Sequence, residues 1–351
     1  MVKLGLMLGY SGKTLNIPID LIRHAESLGY DSVWTAEAYG SDAVTPATWI
    51  LAHTTRIRVG TCIMQIPART PAMAAMTAMT LSQLSGGRFI AGLGASGPQV
   101  VEGWHGIPYN KPVTRTREYI QIMREIMARE GPVTFDGEVY QLPTRIEGAT
   151  GLGKPLKSIL QADTEIPIYT ASITPAGLAC AAEVADGVFP IWMSPEKFET
   201  TLLPHYQKGF DRGLEGKTLA NFANVPGLSV VLGDDVDACR MTVKHFMALY
   251  IGGMGAKGKN FYTTYASTLG YEEEALRVQE LYLAGKKDEA VKAVPDALVD
   301  EVALVGPEKR IRERAEAWIE AGQKGLVDTL MISTLQPDVI DLLADIFTDK
   351  S

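Results

Sequence analysis

The residues best suited to chemistry lie where apolar, strand-like runs end. The segment VWTAEAYGSDA places Glu37, Tyr39 and Asp42 directly after one such run. A carboxylate at this place can hydrogen-bond a bound cofactor or transfer a proton, so Glu37 is the candidate catalytic residue. A salt bridge or a helix cap is the alternative role for Glu37, and a helix N-cap is the favoured role for Asp42.

A glycine-rich segment, GLGASG, follows a later apolar run at residues 92–97. Glycine lets the backbone approach a ligand closely and leaves amide groups free to bind anions. Gly92, Gly94 and Gly97 also match the Gly-x-Gly-x-x-Gly dinucleotide motif. That motif follows the first strand of its fold, whereas this segment follows the fourth, so we disfavour a nicotinamide-binding Rossmann domain. A tight loop that binds nothing is the other alternative.

Other chemically active residue types give weaker signals. The turn from Ser172 to Gly177 opens an alanine-rich helix, so its amides could hold a phosphate, although Ser172 or Thr174 could equally be an N-cap. Cys62 has no obvious partner histidine, and we expect it to pack rather than act as a nucleophile. No two of the 5 histidines lie at metal-ligand spacing, so we expect no metal site.

These candidates need a scaffold that brings several strand ends together. Strand-length apolar runs alternate with amphipathic stretches, which predicts parallel strands joined by right-handed crossovers. Continued alternation favours a closed (β/α)8 TIM barrel over an open doubly wound sheet, with the active site at the carboxyl-terminal mouth. The predicted strands are Val2–Leu8, Ser32–Thr35, Ile57–Ile63, Arg88–Leu93, Ile166–Thr170, Val188–Ile191, Leu228–Leu232 and Thr329–Ile332.

Two stretches, near 133–165 and 234–305, are longer than a crossover needs. We expect both to be insertions covering the mouth of a single domain spanning residues 1–351, and the first to contain a short hairpin, FDGEVYQLP. Met73, Met76 and Met79 lie at helical spacing, which predicts that they pack in the core. The predicted helices are Ile17–Leu28, Ala43–His53, Thr70–Leu84, Val113–Arg129 and Asp338–Phe347.

Composition narrows the class of protein. The chain has 351 residues, of which 46% are hydrophobic and 21% charged, as in ordinary globular proteins. Its net charge of −8 argues against a nucleic-acid-binding surface. No run approaches the roughly 20 apolar residues of a membrane span. Three scattered cysteines and the absence of a signal-peptide pattern favour the cytoplasm.

The segments SGGRFIAGLGASGPQVVEGWHG, VWTAEAYGSD, RIRVGTCI and AAEVADGVFPIW together resemble the luciferase-like oxidoreductase superfamily, and most of all its coenzyme F420-dependent branch. The resemblance extends over nearly the whole chain. It implies an α/β barrel, a homodimer, and hydride transfer between the deazaflavin F420 and a small organic substrate with an activated C=C or C=O bond. An FMN-dependent monooxygenase and a cofactor-binding protein without turnover are the alternatives.

The resemblance also implies where the cofactor lies. The deazaflavin ring is expected against a bulge at the end of the third strand, where the family often has a non-proline cis peptide. The matching bond is Cys62–Ile63, and Gln65 follows it near the ring edge. The loop after the fourth strand and the turn before the alanine-rich helix are expected to contact the rest of the cofactor. The residues assigned to cofactor binding are Tyr39, Thr61, Cys62, Ile63, Gln65, Ser96, Gly97, Ser172 and Gly177.

Two positions depart from the family pattern. Many members carry histidine directly after the acidic residue of the second strand, where this chain has Ala38. Sugar-phosphate dehydrogenase members carry a glutamate where Gly97 stands, so glucose-6-phosphate oxidation is not expected. Reduction of an activated double bond needs fewer protein groups, because the cofactor supplies the hydride. The aromatic residues expected to suit a hydrophobic substrate are Trp34, Tyr39, Trp104, Trp192 and Tyr262.

Overall fold

The computed structural model describes residues 2–162, 165–255, 257–334 and 336–348. Its β-strands are β1 (Lys3–Met7), β2 (Ser32–Thr35), β3 (Arg58–Thr61), β4 (Met64–Gln65), β5 (Phe89–Gly94), β6 (Phe135–Asp136), β7 (Gln141–Leu142), β8 (Ile168–Ala171), β9 (Gly187–Phe189), β10 (Ala223–Asn224), β11 (Gly227–Leu232), β12 (Ala303–Gly306) and β13 (Thr329–Ser333).

Helices follow most of these strands and surround them. They are α1 (Ile19–Ser27), α2 (Val44–His53), α3 (Pro71–Ser85), α4 (Pro98–Gly103), α5 (Pro112–Ala128), α6 (Pro175–Val184), α7 (Phe198–Thr201), α8 (Leu203–Phe210), α9 (Val236–Ala248), α10 (Phe261–Thr268), α11 (Glu272–Leu283), α12 (Lys287–Ala293), α13 (Asp296–Val302), α14 (Glu308–Gln323) and α15 (Pro337–Phe347). No helix in the described ranges is both long and apolar enough to cross a membrane.

The main sheet closes on itself. Its strands are parallel and lie in the order β10-β9-β8-β5-β3-β2-β1-β13-β11-β12. The ring closes because β10 and β11 belong to one stretch, residues 223–232. This stretch pairs first with β9 through β10 and then with β13 through β11. Backbone amides of Asp328 and Met331 donate to Asn224 and Pro226, which continues the second pairing. The predicted eight-stranded barrel is therefore confirmed, with this stretch as its seventh strand.

A small apolar cluster fills the inside of the barrel, while a larger one lies between the strands and the helices. Trp34 occupies the interior because Gly60 opposite it has no side chain: a Cβ there would lie 2.2 Å from the Trp34 ring. The Trp34 Nε1 donates to Ser32 Oγ at 3.1 Å, so the indole is both packed and hydrogen-bonded. The remaining buried members of the inner cluster are Ile90, Tyr169, Phe189, Val225 and Met331.

Three predicted features need correction. The predicted third strand, Ile57–Ile63, is broken: it ends at Thr61 and resumes in β4. β12 was not predicted, and it pairs with β11 outside the ring. Met73 and Met76 are 52% and 53% exposed, and only Met79 is buried. Three residues span about 300° of a helix, so residues three apart point about 60° away from each other. Met73, Met76 and Met79 therefore face different directions, and only Met79 faces the core.

The two stretches predicted to be insertions differ in structure. The first carries the expected hairpin, in which β6 and β7 pair antiparallel. The second holds α9 to α13 and a π-helical turn at Leu249–Gly253 between α9 and α10. The hydroxyl of Tyr250, from this turn, lies 3.4 Å from that of Tyr10, just beyond β1.

Candidate functional site

The mouth is built around the break in the third strand. The Cys62–Ile63 peptide bond joining β3 to β4 is cis, as the resemblance implied. Glycines of β5 leave room for this bulge: a Cβ on Gly92 would lie 1.7 Å from the Thr61 carbonyl oxygen, and one on Gly94 2.4 Å from Ile63 Cδ1. The first two glycines of GLGASG therefore serve to pack the bulge, which explains the motif without a dinucleotide.

The Thr61 side chain belongs to the barrel wall. Its hydroxyl donates to the Gly92 carbonyl at 2.8 Å and accepts from the Gly92 amide at 3.0 Å. Both hydrogen-bonding functions of this buried hydroxyl are thus used between β3 and β5. Thr61 fixes the start of the bulge, and its hydroxyl is not free for a ligand.

Glu37, the predicted catalytic residue, is a fully partnered carboxylate. Arg69 donates to both of its oxygens at 2.7 Å, and the amides of Ala43 and Gln65 each donate to one oxygen at 3.0 Å. Burial alone would raise the pKa of Glu37, but these hydrogen bonds outweigh it, so the pKa lies below its usual value. The structure thus gives Glu37 the salt-bridge role, and an ionised, bidentate carboxylate is a poor proton donor.

Gln65 is the residue of the bulge that offers an unused polar atom. Its side chain is 1% exposed, and its Nε2 donates to the Ala38 carbonyl at 2.7 Å. Because the nitrogen makes this bond, the other polar atom of the amide is the oxygen. Gln65 Oε1 is buried and has no partner among the described residues. Because buried polar atoms are nearly always paired, this acceptor fits the N–H group of a ligand.

The floor of the mouth beside Gln65 is apolar. Met7, Cys62, Ile63 and Ala171 are half-buried on top of the inner cluster. Burial raises the pKa of the Cys62 thiol to about 12, so it is neutral and packs, as expected. A flat ring could lie on such a surface. Within the described ranges, no group of three or more His, Cys, Asp and Glu residues could hold a metal.

Aromatic side chains stand over one side of this floor. The Tyr10 and Tyr250 hydroxyls lie 3.4 Å apart, and the Tyr250 ring packs edge-on to that of Tyr262 at 4.8 Å. The Trp192 ring packs edge-on to both tyrosines of the insertion, at 6.3 and 5.8 Å between ring centres. Of the aromatic residues expected to suit a substrate, Trp192 and Tyr262 pack against Tyr250, Trp34 is buried inside the barrel, and Trp104 is 67% exposed.

The predicted phosphate end lies at the start of α6. The N-cap is Thr174, whose hydroxyl accepts from the Gly177 amide at 3.1 Å, so Ser172 is not the cap. A Cβ on Gly177 would lie 3.2 Å from Ser172 Oγ, so this glycine keeps space open beside the Ser172 hydroxyl. Nearby amides at the positive end of α6 make this turn suitable for an anion.

The remaining residues predicted to bind the cofactor are Ser96, Gly97 and Tyr39. Ser96 is half-buried and has a left-handed backbone (φ 58°), which turns the chain sharply after β5. Gly97 is the N-cap of the short helix α4, with an extended backbone (φ −112°) that any residue can adopt. Tyr39 is 68% exposed at the rim.

Three functional candidates were missed from sequence. Arg69 could have been found, because a buried Glu37 needs a cation and Arg69 follows the bulge closely. Tyr10 could also have been found, since it lies at the carboxyl end of the first strand. Tyr250 gave no local signal, because only tertiary packing brings the insertion to the mouth.

The ring of strands, with its bulged third strand, apolar floor and unpaired amide, defines a barrel protein with a candidate ligand site at its mouth. The sequence matches the family described as luciferase-like monooxygenase over residues 2–324. The chain belongs to this family and is an oxidoreductase, which confirms the predicted membership.

Individual relatives span almost the full chain. A Mycobacterium tuberculosis protein, provisionally named a coenzyme F420-dependent oxidoreductase, is 45% identical over 93% of this chain and 95% of its own. The 5,10-methylenetetrahydromethanopterin reductase of Archaeoglobus fulgidus is 28% identical over 90% of this chain and 89% of its own.

Solved structures agree on the fold. The coenzyme F420-dependent tetrahydromethanopterin reductase of Methanopyrus kandleri has a TM-score of 0.74 at 21% identity, covering 98% of both chains. An F420-dependent secondary alcohol dehydrogenase, solved with an F420–acetone adduct, has a TM-score of 0.71 at 18% identity, covering 99% of this chain and 98% of its own.

Proposed function

We propose that this protein is a coenzyme F420-dependent oxidoreductase that transfers a hydride between the deazaflavin and a small organic substrate at the barrel mouth. The relatives named above support the choice of cofactor. The single observation that carries the site is the buried, unpaired Gln65 Oε1 beside the cis bulge. F420, when bound, supplies hydride chemistry at its ring, and the protein supplies position and shielding from water.

The residues present fit such a cofactor. Cys62 and Ile63 would support one face of the ring, and Gln65 Oε1 would accept a hydrogen bond from a ring N–H. The start of α6, with the Ser172 hydroxyl and the Gly177 turn, would hold the phosphate tail. The loop at Ser96 and Gly97, the rim residue Tyr39 and the wall at Thr61 would complete the enclosure.

Glu37 fits a positioning role better than a catalytic one. Its carboxylate binds the Gln65 amide on one side and the Ala43 amide at the start of α2 on the other, with Arg69 closing the pair. This arrangement fixes the backbone from which the Gln65 side chain projects. We therefore assign Glu37 and Arg69 to holding the bulge in place.

We further propose that the protein acts as a homodimer through the outer face of α2 and α3. Apart from His53, these two helices contain no ionisable residue, which is unusual for helices facing water. Trp49, Met73 and Met76 are each more than half exposed on them. The replacement of Met73 and Met76 together by Glu should yield monomers in sedimentation experiments; an unchanged sedimentation coefficient would exclude this face.

We also propose that the protein is cytoplasmic and that the whole chain is one functional unit. The three cysteines are free, which suits a reducing cytoplasm. The barrel and its second insertion are proposed to work as one unit over the chain, because the site includes residues from both.

The test is equilibrium binding of F420 and FMN, each oxidised and reduced, to the purified protein, followed by fluorescence. We expect F420 to bind at micromolar concentration or below and FMN to bind far more weakly. Tighter binding of reduced FMN, with oxygen consumption, would replace the proposal with a monooxygenase. Binding of F420 without turnover of any electron acceptor would indicate a carrier.

A further inference from the structure

Two tyrosine hydroxyls meet above the apolar floor. Tyr10 lies three residues beyond β1, and Tyr250 lies in the π-helical turn of the second insertion. Their oxygens are 3.4 Å apart, and neither hydroxyl has another hydrogen-bond partner among the described residues. π-helical turns of this kind often occur at functional sites.

The pair contains one more donor than it can use. Each phenol carries one O–H, and a single bond between the two oxygens consumes only one of them. Burial raises the pKa of both hydroxyls, with a further contribution from the nearby Cys62 thiol, so both are neutral at physiological pH. One O–H group is therefore left without an acceptor among the described residues and can donate to solvent or to a ligand.

The two tyrosines differ in how firmly they are held. Tyr250 is 7% exposed and is fixed by the rings of Tyr262 and Trp192. Tyr10 is 59% exposed and open to water. Tyr250 can thus donate to Tyr10 from a fixed position, which leaves the Tyr10 proton available and in exchange with solvent.

We infer that Tyr10, oriented by Tyr250, binds and protonates an oxygen atom of the substrate, and that the substrates are ketones and enones, or the corresponding alcohols in reverse. The inference rests on the proposed function and names the substrate class of that site. It supplies a proton donor at a mouth where Glu37 is ionised and fully partnered.

The step balances as a carbonyl reduction. The reduced deazaflavin provides the hydride with its electron pair, is oxidised, and releases its second hydrogen as a proton. The C=O π bond breaks, a C–H bond forms at the carbonyl carbon (or at the β carbon of an enone), and the Tyr10 proton passes to the oxygen. The Tyr10 oxyanion is stabilised by the Tyr250 hydroxyl and regains a proton from water.

The experiment uses the full chain with reduced F420 and the probes 2-cyclohexen-1-one, cyclohexanone and acetone, following the return of F420 fluorescence. The variants are Tyr10→Phe and Tyr250→Phe, which each lose one hydroxyl. The control is Tyr140→Phe, on the hairpin insertion, whose ring packs against Tyr119. We expect Tyr10→Phe to lower kcat about 100-fold, within the range of general acid catalysis.

The roles of the two tyrosines separate in further measurements. Tyr250→Phe should lower kcat about tenfold with little change in KM. The solvent deuterium isotope effect on kcat should be larger than in the wild type, because the less stabilised oxyanion makes proton transfer slower. Both variants should bind reduced F420 within twofold of the wild type, and Tyr140→Phe should match the wild type throughout.

Two results would overturn the inference while leaving the proposed function intact. One is a kcat for Tyr10→Phe within threefold of the wild type. The other is an inert probe panel with a wild-type protein that binds reduced F420 tightly. Absence of F420 binding by the wild type would instead remove the proposed function itself, and it is seen before any probe is added.

Discussion

The two ends of the barrel use polar residues in opposite ways. At the amino end, Asp31 pairs with Arg58, Asp328 with Lys3, and Asp186 with Arg124. A cleft of about 510 Å³ opens there, but the Asp186 and Asp328 carboxylates that line it are already paired.

At the carboxyl end, partnered and unpartnered polar groups lie side by side. Glu37 and Arg69 pair with each other. Among the described residues, Gln65 Oε1 has no hydrogen-bond donor, and one hydroxyl of the Tyr10–Tyr250 pair has no acceptor. Barrel enzymes place stability at the amino end and ligands at the carboxyl end. The proposed site therefore rests on the unpaired Gln65 oxygen beside the bulge and not on the cleft at the amino end.

The largest effect is expected from Gly92→Ala. The new Cβ would lie 1.7 Å from the Thr61 carbonyl oxygen, so either the bulge or β5 must move. We expect a loss of about 3 kcal/mol in the free energy of unfolding, as for severe overpacking, and no measurable F420 binding. Urea unfolding and fluorescence titration check this. Gly103→Ala, where a Cβ meets nothing within 4 Å, is the control.

Glu37→Gln should damage stability and cofactor affinity together. It leaves Arg69 buried without its carboxylate, which costs about 3 kcal/mol for a pair of this burial. The released Gln65 backbone should also weaken F420 binding. The matched variant is Asp31→Asn at the amino end, which should lower stability but leave F420 affinity unchanged. Equal loss of affinity in both variants would erase the distinction between the two ends.

The same pair predicts a pH dependence. Because the pKa of Glu37 is lower in the folded protein, its ionisation stabilises the fold fully above its usual value of 4.5. This contribution is lost as the pH falls from that value through the folded-state pKa. The stability difference between wild type and Glu37→Gln, measured by urea unfolding, should therefore be constant near pH 7 and shrink below pH 4.5. A difference that grows in acid would contradict the assignment.

Smaller effects are expected at the start of α6, where two hydroxyls have different tasks. Ser172→Ala should weaken F420 binding severalfold, the cost of about 1 kcal/mol for one hydrogen bond, with unfolding unchanged. Thr174→Ala should lower the free energy of unfolding by about 1 kcal/mol, because it removes the N-cap. A reversal of these two results would move the phosphate contact from Ser172 to Thr174.

The barrel was predictable from sequence because its strands are buried on both faces and read as continuous apolar runs. β12 was missed because its short run, ALVG, directly follows a helix without a turn signal. The break at Cys62 was expected from the family resemblance alone, since a bulge of this kind has no signal in the local sequence composition. The Glu37–Arg69 pair and the approach of Tyr250 depend on packing between distant elements, which periodicity does not report.

The most direct test of the account is the F420 affinity of Gln65→Met against Gln279→Met. Both glutamines are buried, but the Gln279 amide already bonds the Thr263 hydroxyl, whereas Gln65 Oε1 is unpaired. We predict that both substitutions lower stability, because each breaks a hydrogen bond donated by a buried amide. Only Gln65→Met should weaken F420 binding, by about tenfold, the cost of one hydrogen bond, while Gln279→Met leaves the affinity unchanged. Unchanged affinity in Gln65→Met would contradict the claim that the unpaired amide marks the cofactor site.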